Sequence, residues 1–349
     1  MRSIAAAAVS AAIVFAGSSA GAQEPVEITF FMFAGSGSDT VPKEAIADYV
    51  TANPHVTINI SETTNAIIYP QMVTARRTTP DSPLVHCGFF NADTVNRGDV
   101  DDMWEVLDRK NIPNMDNVLE SYARPDDRGV AYQMMGVGIL YNTNVMSEPP
   151  TSWADLWDEK NRGRVAMLDN DMRMIAVAAR LNGGDEFNPD PGFKVWADNA
   201  QNLRALVESN DALKNLLVSG DAGMAPWWSS VSDFWIKEGA PLAFAVPKEG
   251  AIAFPIYMAI AKGVSDAQRE VCESLLNELL TPARAGRYGS VTSSIPLVRD
   301  AVMSEDQVEN PVLNPQIAEK AIILDFAHIS SVASEWRERW ARDVKLNMR

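Results

Sequence analysis

Three groups of residues in this sequence have the chemistry to bind a small ligand. Residues 35–39 read Gly-Ser-Gly-Ser-Asp between a predicted strand and a predicted helix, and free backbone N–H groups at such a junction can hold an anion or a polar group. Asp169 and Asp171 form a carboxylate cluster after another predicted strand, although an acid there can equally cap the next helix. Trp227 and Trp228 are adjacent in a turn. Because neighbouring side chains tend to point apart, we expect one of the two to face a ligand.

The residues that most enzymes need are few and scattered. The three histidines, His55, His86 and His328, have no metal-ligand spacing to one another and belong to no zinc or hydrolase motif. The sequence also lacks a GxSxG motif, a phosphate-binding loop and a GxGxxG motif. Catalysis by carboxylates stays open as an alternative, but no spacing pairs two of them. We therefore expect a binding protein that is not an enzyme and that holds no metal and no cofactor.

Alternating strands and helices would bring the candidate residues together. The first predicted elements are a strand at 27–35, a helix at 41–49, a strand at 56–60, a helix at 69–75 and a strand at 83–91. This order is typical of a parallel sheet covered by helices. Ligands bind beyond the carboxyl ends of such strands. The pattern therefore places Gly35, Asn65 and Asn91 near a ligand.

Later segments predict a second lobe and the connections to it. Residues 242–246 and 251–261 predict two apolar strands joined by a Pro-Lys-Glu-Gly turn, as in a chain that passes between lobes. Further predictions are two strands joined at Gly136 within 129–142, a capped helix at 151–157, a helix at 193–207 and a terminal helix at 335–349. Trp153 and Trp157 share one face of their helix with Leu156, so we expect them in the core.

Length and charge limit the possible functions. A chain of 349 residues exceeds the size at which a single core stops growing, so two lobes are expected. The formal net charge of −16 argues against a nucleic-acid partner, because phosphates would be repelled. We expect a monomer.

The first 22 residues predict a secretory signal peptide. Arg2 precedes an apolar stretch that ends near Ala16, and Ala20-Gly21-Ala22 resembles a cleavage site. A membrane anchor is the alternative, but the apolar stretch is shorter than the roughly 20 residues of a spanning helix. The expected location is therefore the periplasm. That compartment permits a disulfide between Cys87 and Cys272, although one distant pair favours two buried thiols.

Several segments resemble the extracellular solute-binding proteins of ABC transporters, in the branch that includes the spermidine/putrescine-binding proteins. The most specific are Ile-Pro-Asn at 112–114, Pro-Thr-Ser-Trp at 150–153 and Pro-Lys-Glu-Gly at 247–250. The resemblance implies an α/β, two-lobed, type II periplasmic-binding-protein fold. Each lobe would be a mixed sheet flanked by helices, with the ligand cleft between the lobes. The implied division is residues 23–132 plus 254–295 for lobe 1, and 133–253 plus 296–349 for lobe 2.

The resemblance also implies a ligand site and a partner. In the family, the strand end at Asp169 faces the cleft and its carboxylate can contact a ligand amine. The residues expected to bind the ligand are Phe33, Gly35, Ser36, Asn65, Asn91, Asp169, Trp227, Trp228, Phe254 and Tyr257. The expected partners are a small-molecule ligand and the permease subunits of an ABC transporter.

One departure from the family pattern bears on the ligand. Polyamine-binding members carry Trp and Asp after the Glu-Gly pair, whereas this chain has Phe254 and Ile256 there. A diamine would lose a charge partner, so we expect a mono-amine or an amino-acid conjugate such as an opine. An anionic organic or phosphonate solute is the alternative, with Tyr257, Arg173 and the 35–38 loop serving its anionic part. Iron is not expected, because the comparable turn has Trp227 and Trp228, which supply no oxygen ligand.

Overall fold

A computed structural model describes residues 24–33, 35, 37–169 and 171–348. The predicted signal peptide and the predicted ligand residue Ser36 lie outside the described residues. Within the described part of the chain, no helix is long and apolar enough to cross a membrane.

The described chain forms ten strands and twelve α-helices. The strands are β1 (Val26–Phe33), β2 (Val56–Thr63), β3 (Cys87–Asn91), β4 (Val130–Asn142), β5 (Val165–Leu168), β6 (Leu203–Val207), β7 (Met224–Trp228), β8 (Leu242–Ala245), β9 (Ile252–Ile260) and β10 (Ile295–Pro296). The helices are α1 (Thr40–Ala52), α2 (Asn65–Thr78), α3 (Ala92–Val100), α4 (Met172–Leu181), α5 (Asp190–Asp198), α6 (Asn210–Ser219), α7 (Ser229–Lys237), α8 (Asp266–Leu279), α9 (Pro282–Thr292), α10 (Glu305–Glu309), α11 (Gln316–Glu319) and α12 (Phe326–Asp343).

The strands form a mixed sheet in the order β2-β1-β3-β9-β4-β7-β5-β6, and β8 and β10 also pair with β4. β1 is parallel to β2 and β3, whereas β9 is antiparallel to β3 and β4. The ladder is continuous because β4 and β9 are long enough to reach from one half of the molecule to the other. The expected α/β fold, a sheet flanked by helices, is confirmed.

Three predicted elements are corrected. β4 is one strand of 13 residues rather than two, because Gly136 pairs with Ala253 of β9 and the ladder continues through it. The predicted helix at 193–207 is wrong: α5 ends at Asp198, and β6 then pairs in parallel with β5. The terminal helix was predicted to begin at residue 335, but α12 begins at Phe326. The Asp325 carboxylate caps this start by accepting a hydrogen bond from the His328 N–H at 2.8 Å.

Two large hydrophobic clusters form the core, one on each side of the middle of β4. The first includes Tyr132 and Met134 of β4 with residues of β1, β3, α1, α8 and α9. The second includes Val137 and Ile139 with residues of β5, α4, α5 and α12. Burying a side chain of this kind stabilises the fold by about 1.5–3 kcal/mol. β4 therefore connects the two halves of the molecule, each of which packs around its own hydrophobic cluster.

The Pro-Lys-Glu-Gly turn is held by contacts on both of its sides. Gly250 has a φ of +104°, and a Cβ there would lie 1.9 Å from the Lys320 carbonyl oxygen. Glu249 accepts hydrogen bonds from the Ser152 hydroxyl at 2.6 Å and the Trp153 N–H at 3.2 Å. The indole of Trp153 donates to the Gly250 carbonyl at 2.9 Å and is fully buried. The expectation that Trp153 belongs to the core is confirmed.

Cys87 and Cys272 form a disulfide with a Cα–Cα distance of 6.0 Å. The prediction of two buried thiols is therefore wrong. Both cysteines belong to the first hydrophobic cluster, where α8 packs on the sheet. The bridge joins β3 to α8 across 185 residues of sequence, a separation that concealed the pairing.

Candidate ligand-binding cleft

Three adjoining cavities form one cleft at the carboxyl ends of the parallel strands. We call them the large cavity, of about 760 Å³, the middle cavity, of about 260 Å³, and the outer cavity, of about 570 Å³. Asn91 and Met135 line both the large and the middle cavity. The residues shared by the middle and outer cavities are Trp228, Phe254, Phe326 and Ser330. These shared walls show that the three cavities adjoin one another.

The large cavity combines apolar surface with hydroxyl and amide groups. The polar side chains around it are Ser38, Thr64, Asn65, Asn91, Asn210, Asp211, Ser230, Thr292, Ser293 and Ser294. Asp211 is the one charged side chain in this set. Asn65 is only 7% exposed, and neither its Oδ1 nor its Nδ2 has a hydrogen-bond partner among the described residues. Because leaving a buried amide unpaired costs about 1–3 kcal/mol, the side chain of Asn65 needs a partner from outside the protein.

Three helices begin at the cleft with no side-chain cap. Thr64, Asn91 and Trp228 precede α2, α3 and α7, and none of them accepts a capping hydrogen bond with its side chain. The first N–H groups of a helix have no partner within the helix, and they carry a partial positive charge. These helix starts therefore offer hydrogen-bond donors to polar or anionic groups of a ligand.

An aromatic wall separates the middle cavity from the outer cavity. Trp228 and Phe254 have ring centroids 4.5 Å apart, and the centroids of Phe254 and Phe326 are 4.4 Å apart. The Arg173 guanidinium stacks on this wall, 4.6 Å from the Trp228 centroid and 5.3 Å from that of Phe254. The aromatic wall thus consists of Trp228, Phe254 and Phe326, contributed by the end of β7, by β9 and by α12.

Charged pairs occupy the outer cavity. Arg173 donates two hydrogen bonds of 2.5 Å to Asp171, and that carboxylate also caps α4 by accepting from the Arg173 N–H. The sequence predicted that an acid of the Asp169/Asp171 cluster could cap the next helix, and the acid that does so is Asp171. Asp169 accepts a hydrogen bond from Lys345 at 2.6 Å, while its other carboxylate oxygen is buried with no partner among the described residues. One oxygen of Asp169 is thus available to a ligand donor.

The structure brings together most, but not all, of the residues predicted to bind a ligand. Those that line the large cavity are Phe33, Gly35, Asn65 and Asn91, and those that line the other two cavities are Asn91, Asp169, Trp228 and Phe254. Trp227 does not reach the cleft, because β7 alternates and turns this side chain into a core cluster, where it stacks on Trp235 at 6.3 Å.

Tyr257 also lies away from the three cavities. Its ring packs against the first core cluster, and the Arg124 guanidinium lies 5.8 Å from the ring centroid. Burial raises the pKa of the Tyr257 hydroxyl, and the nearby Arg124 only partly offsets this. Tyr257 is therefore a neutral, partly buried packing residue.

Several cleft residues were missed in the sequence. They include Asp93, Met135, Ser230, Phe326 and Ser330. Phe326 and Ser330 lie four residues apart on α12, so they share a face of that helix. Asp93 lies two residues after Asn91, the strand end that the sheet pattern had already placed near a ligand. The other two residues, Met135 and Ser230, carry no local signal, because their position depends on how distant elements meet.

No group of three or more His, Cys, Asp and Glu side chains in the described part of the chain is placed to hold a metal ion. The site is instead built from aromatic rings, amides, hydroxyls and carboxylates. That chemistry suits reversible binding of a small polar organic molecule.

Comparison with known proteins identifies the family. Residues 87–321, more than half of the chain, match the family described as bacterial extracellular solute-binding protein. Spermidine/putrescine-binding periplasmic protein 1 of Haemophilus influenzae is 28% identical over 226 residues, which cover 61% of this chain and 62% of that protein. The match to the corresponding protein of Escherichia coli covers 54% of its length. This chain thus spans between half and two thirds of the curated relatives it matches.

Solved structures show the same fold. A substrate-binding protein of a spermidine/putrescine ABC transporter from Streptococcus pneumoniae superposes with a TM-score of 0.75 at 16% identity, covering 93% of this chain and 100% of that one. The periplasmic binding protein AfuA of Actinobacillus pleuropneumoniae, with fructose-6-phosphate bound, has a TM-score of 0.62 at 15% identity, covering 92% and 99%. The expected resemblance is thereby confirmed, and the chain belongs to the bacterial extracellular solute-binding protein family.

Proposed function

We propose that this chain is the periplasmic substrate-binding component of an ABC importer. It captures a small polar organic solute that carries both an amine and an acidic group, as an amino-acid conjugate such as an opine does. The lobes close on the solute and deliver it to the permease. The protein acts as a monomer and catalyses no reaction, and its signal peptide directs it to the periplasm.

The observation that carries this proposal is the chemical difference between the two ends of the cleft. At the large cavity, three helix starts and the unpartnered amide of Asn65 offer hydrogen bonds to an acidic or polar group. At the other end, the middle and outer cavities offer carboxylates to an amine beside aromatic rings, namely those of Asp93, Asp169 and Glu208. A solute with groups of opposite charge at its two ends matches this arrangement.

The proposed lobes are residues 23–132 plus 254–295 and residues 133–253 plus 296–349. The long strands β4 and β9 connect them, since each contributes to both large core clusters. Closure would bend these strands near the cleft. X-ray scattering of the mature protein should show a smaller radius of gyration with saturating ligand. Equal dimensions with and without ligand would contradict closure.

A solely anionic solute is the second candidate. Among the described residues, Asp211 is the one carboxylate that lines the large cavity, and the three uncapped helix starts favour negative charge. A relative of the same fold is known with fructose-6-phosphate bound. Polyamines are less favoured despite the spermidine/putrescine-binding relatives, because Ile256 supplies no charge partner for a second amine.

A thermal-shift screen of the mature protein distinguishes these ligands. The panel would include polyamines, amino acids, opines, phosphonates and sugar phosphates. A ligand at one hundred times its Kd stabilises the folded state by about 2.7 kcal/mol. A selective shift with opines would support the proposal, whereas a shift only with phosphates or phosphonates would favour the second candidate. No shift with any of these compounds would contradict a receptor for small polar solutes.

A further inference from the structure

Asp93 is the one ionisable side chain that lines the middle cavity in the part of the chain that the structure describes. This residue is partly buried in the first turn of α3, and it lines the cavity together with Asn91, Met135 and the aromatic wall. The remaining lining residues, Ala92, Pro255 and Ser330, are uncharged. A single carboxylate therefore determines the charge of this compartment.

Asp93 has no salt-bridge partner among the described residues. The other acid of the same helix, Asp99, is paired with Arg124 at 2.5 Å, and that arginine also contacts Asp126 and Asn96. A carboxylate that faces a confined, partly apolar space without a counterion favours a cation there. The charge of Asp93 is thus left unbalanced within the middle cavity.

The aromatic wall offers a second attraction for a cation. Trp228 and Phe254 already hold the guanidinium of Arg173, but Arg173 lines only the outer cavity, so it occupies that side of the wall. Asp171 neutralises Arg173 by bidentate hydrogen bonding. The side of the wall that faces the middle cavity remains open, and ring faces attract ammonium and guanidinium groups.

The sheet fixes the position of Asp93 relative to this wall. Asn91, the last residue of β3, pairs with Ile256 of β9, and Phe254 lies two residues earlier in the same strand. α3 starts directly after Asn91. The carboxylate therefore approaches the wall from the strand next to β9, and its position is set by backbone pairing rather than by a flexible loop.

We propose that Asp93 binds the cationic nitrogen of the ligand in the middle cavity, with Trp228 and Phe254 on the opposite side. The ligand class is a primary or substituted ammonium, or a guanidinium, on a small organic molecule. This inference rests on the proposed function, because it assigns a residue to the amine of the proposed solute.

A structural role for Asp93 must be separated from a binding role. An acid in the first turn of a helix also stabilises the helix dipole. Asp266 provides a matched control, since it is an exposed acid in the first turn of α8 and lines none of the three cavities. Asp93→Asn and Asp266→Asn remove the same charge from the same kind of helix position, but only the first alters the cleft.

Butylammonium and butyrate are suitable probes, because they have the same chain length and opposite charge. Their affinities for the wild type and for Asp93→Asn, Asp93→Glu and Asp266→Asn would be measured by ligand-observed NMR at millimolar concentration. We expect the wild type to prefer butylammonium. Asp93→Asn should weaken its binding at least tenfold, as loss of a charge-assisted hydrogen bond does. Asp93→Glu should retain part of the affinity, and Asp266→Asn should stay within twofold of the wild type.

Three results would overturn the assignment of Asp93. They are a wild type that does not bind butylammonium, equal binding of butyrate and butylammonium, and equal binding of butylammonium by Asp93→Asn and the wild type. The failure of the proposed function is recognised separately. If an opine shifts the melting temperature of the wild type and of Asp93→Asn equally, the receptor stands and only the role of Asp93 is lost. If only fructose 6-phosphate binds, and binds more tightly to Asp93→Asn, both inferences fail.

Discussion

The hydroxyl of Ser293 donates a hydrogen bond of 2.7 Å to the carboxylate of Asp233. Ser293 ends α9 in a left-handed conformation, with φ of 50°, while Asp233 lies on α7 and is only 3% exposed. The same carboxylate accepts hydrogen bonds from Lys237 at 2.7 Å and Asn310 at 2.9 Å. In the proposed division, this contact joins lobe 1 to lobe 2 beside the large cavity.

The first prediction concerns the pH dependence of this contact. Burial by itself raises the pKa of Asp233, but hydrogen bonds from Lys237, Ser293 and Asn310 outweigh burial and lower it overall. A lowered pKa in the folded state contributes stability above the unfolded pKa of about 3.9, and this contribution is lost as the pH falls through the folded pKa. Asp233→Asn should therefore reduce the free energy of unfolding by about 1–3 kcal/mol at pH 7.

Urea unfolding at pH 7 and near pH 3 would check this prediction. The difference between the wild type and Asp233→Asn should shrink at the lower pH, because pH 3 lies below the unfolded pKa, so the unfolded chain gains a proton at Asp233 that the folded protein binds less readily. A difference that stays constant between the two pH values would contradict the role of the charge.

The second prediction concerns Asp169. Asp169→Ala should weaken binding of an amine-bearing solute at least tenfold if the free carboxylate oxygen meets the ligand cation, because charge-assisted hydrogen bonds contribute about 1.5–3 kcal/mol. Lys345→Ala is the matched control, since it removes the partner of Asp169 and leaves the acid in place. Calorimetric titration should show weakened binding for Asp169→Ala only. Equal affinity in both variants and the wild type would mean that Asp169 serves only to pair with Lys345 and so to hold the C-terminal segment against the end of β5.

The third prediction uses the unpartnered amide of Asn65. Replacing it in Asn65→Leu should lower ligand affinity but should not lower the free energy of unfolding, because a buried amide without partners contributes no stability. Gln133 provides the contrast. It is fully buried, donates to the Ala285 carbonyl at 2.9 Å and accepts from the Ser294 hydroxyl at 3.2 Å. Gln133→Met should cost about 1–3 kcal/mol.

Chemical denaturation and ligand titration of both variants would test this contrast. A loss of stability in Asn65→Leu as large as that in Gln133→Met would mean that Asn65 has a structural role.

The fourth prediction concerns the disulfide. Removing the bridge in the double variant Cys87→Ser/Cys272→Ser should reduce the free energy of unfolding by about 2–5 kcal/mol, because the bridge restricts a long loop of the unfolded chain. Guanidinium unfolding of the oxidised wild type, the reduced wild type and the variant would measure this. The reduced protein and the variant should agree. Identical midpoints for the oxidised and reduced wild type would contradict the contribution of the bridge.

Some elements followed from local patterns alone. The strand at 242–246, which the structure shows at 242–245, the turn that contains Gly250 and a cap at the start of the 151–157 segment were all predicted, because each depends on a few neighbouring residues. The helix predicted at 193–207 failed at its second half. Leu203 and Val207 fit a helical spacing as well as a strand, and only pairing with β5 decides between the two.

The candidate site was predicted in part for the same reason. Gly35, Asn65 and Asn91 follow strands, and the parallel order of those strands brings their ends together. The choice between Trp227 and Trp228 was left open, since alternation shows that they diverge but not which one faces the core. Asp93 and Phe326 were missed, because the first lies two residues beyond the predicted strand end at Asn91 and the second comes from a helix far along the chain.

The sequence by itself determined the fold class, the family and the strand ends that carry the cleft, because hydrophobic periodicity, turn residues and short motifs are local properties of a chain. The tertiary structure decided the disulfide, the side of β7 on which each tryptophan lies and the aromatic wall of Trp228, Phe254 and Phe326. These features depend on contacts between segments separated by many residues, and such contacts arise only when the two halves of the molecule pack around β4 and β9.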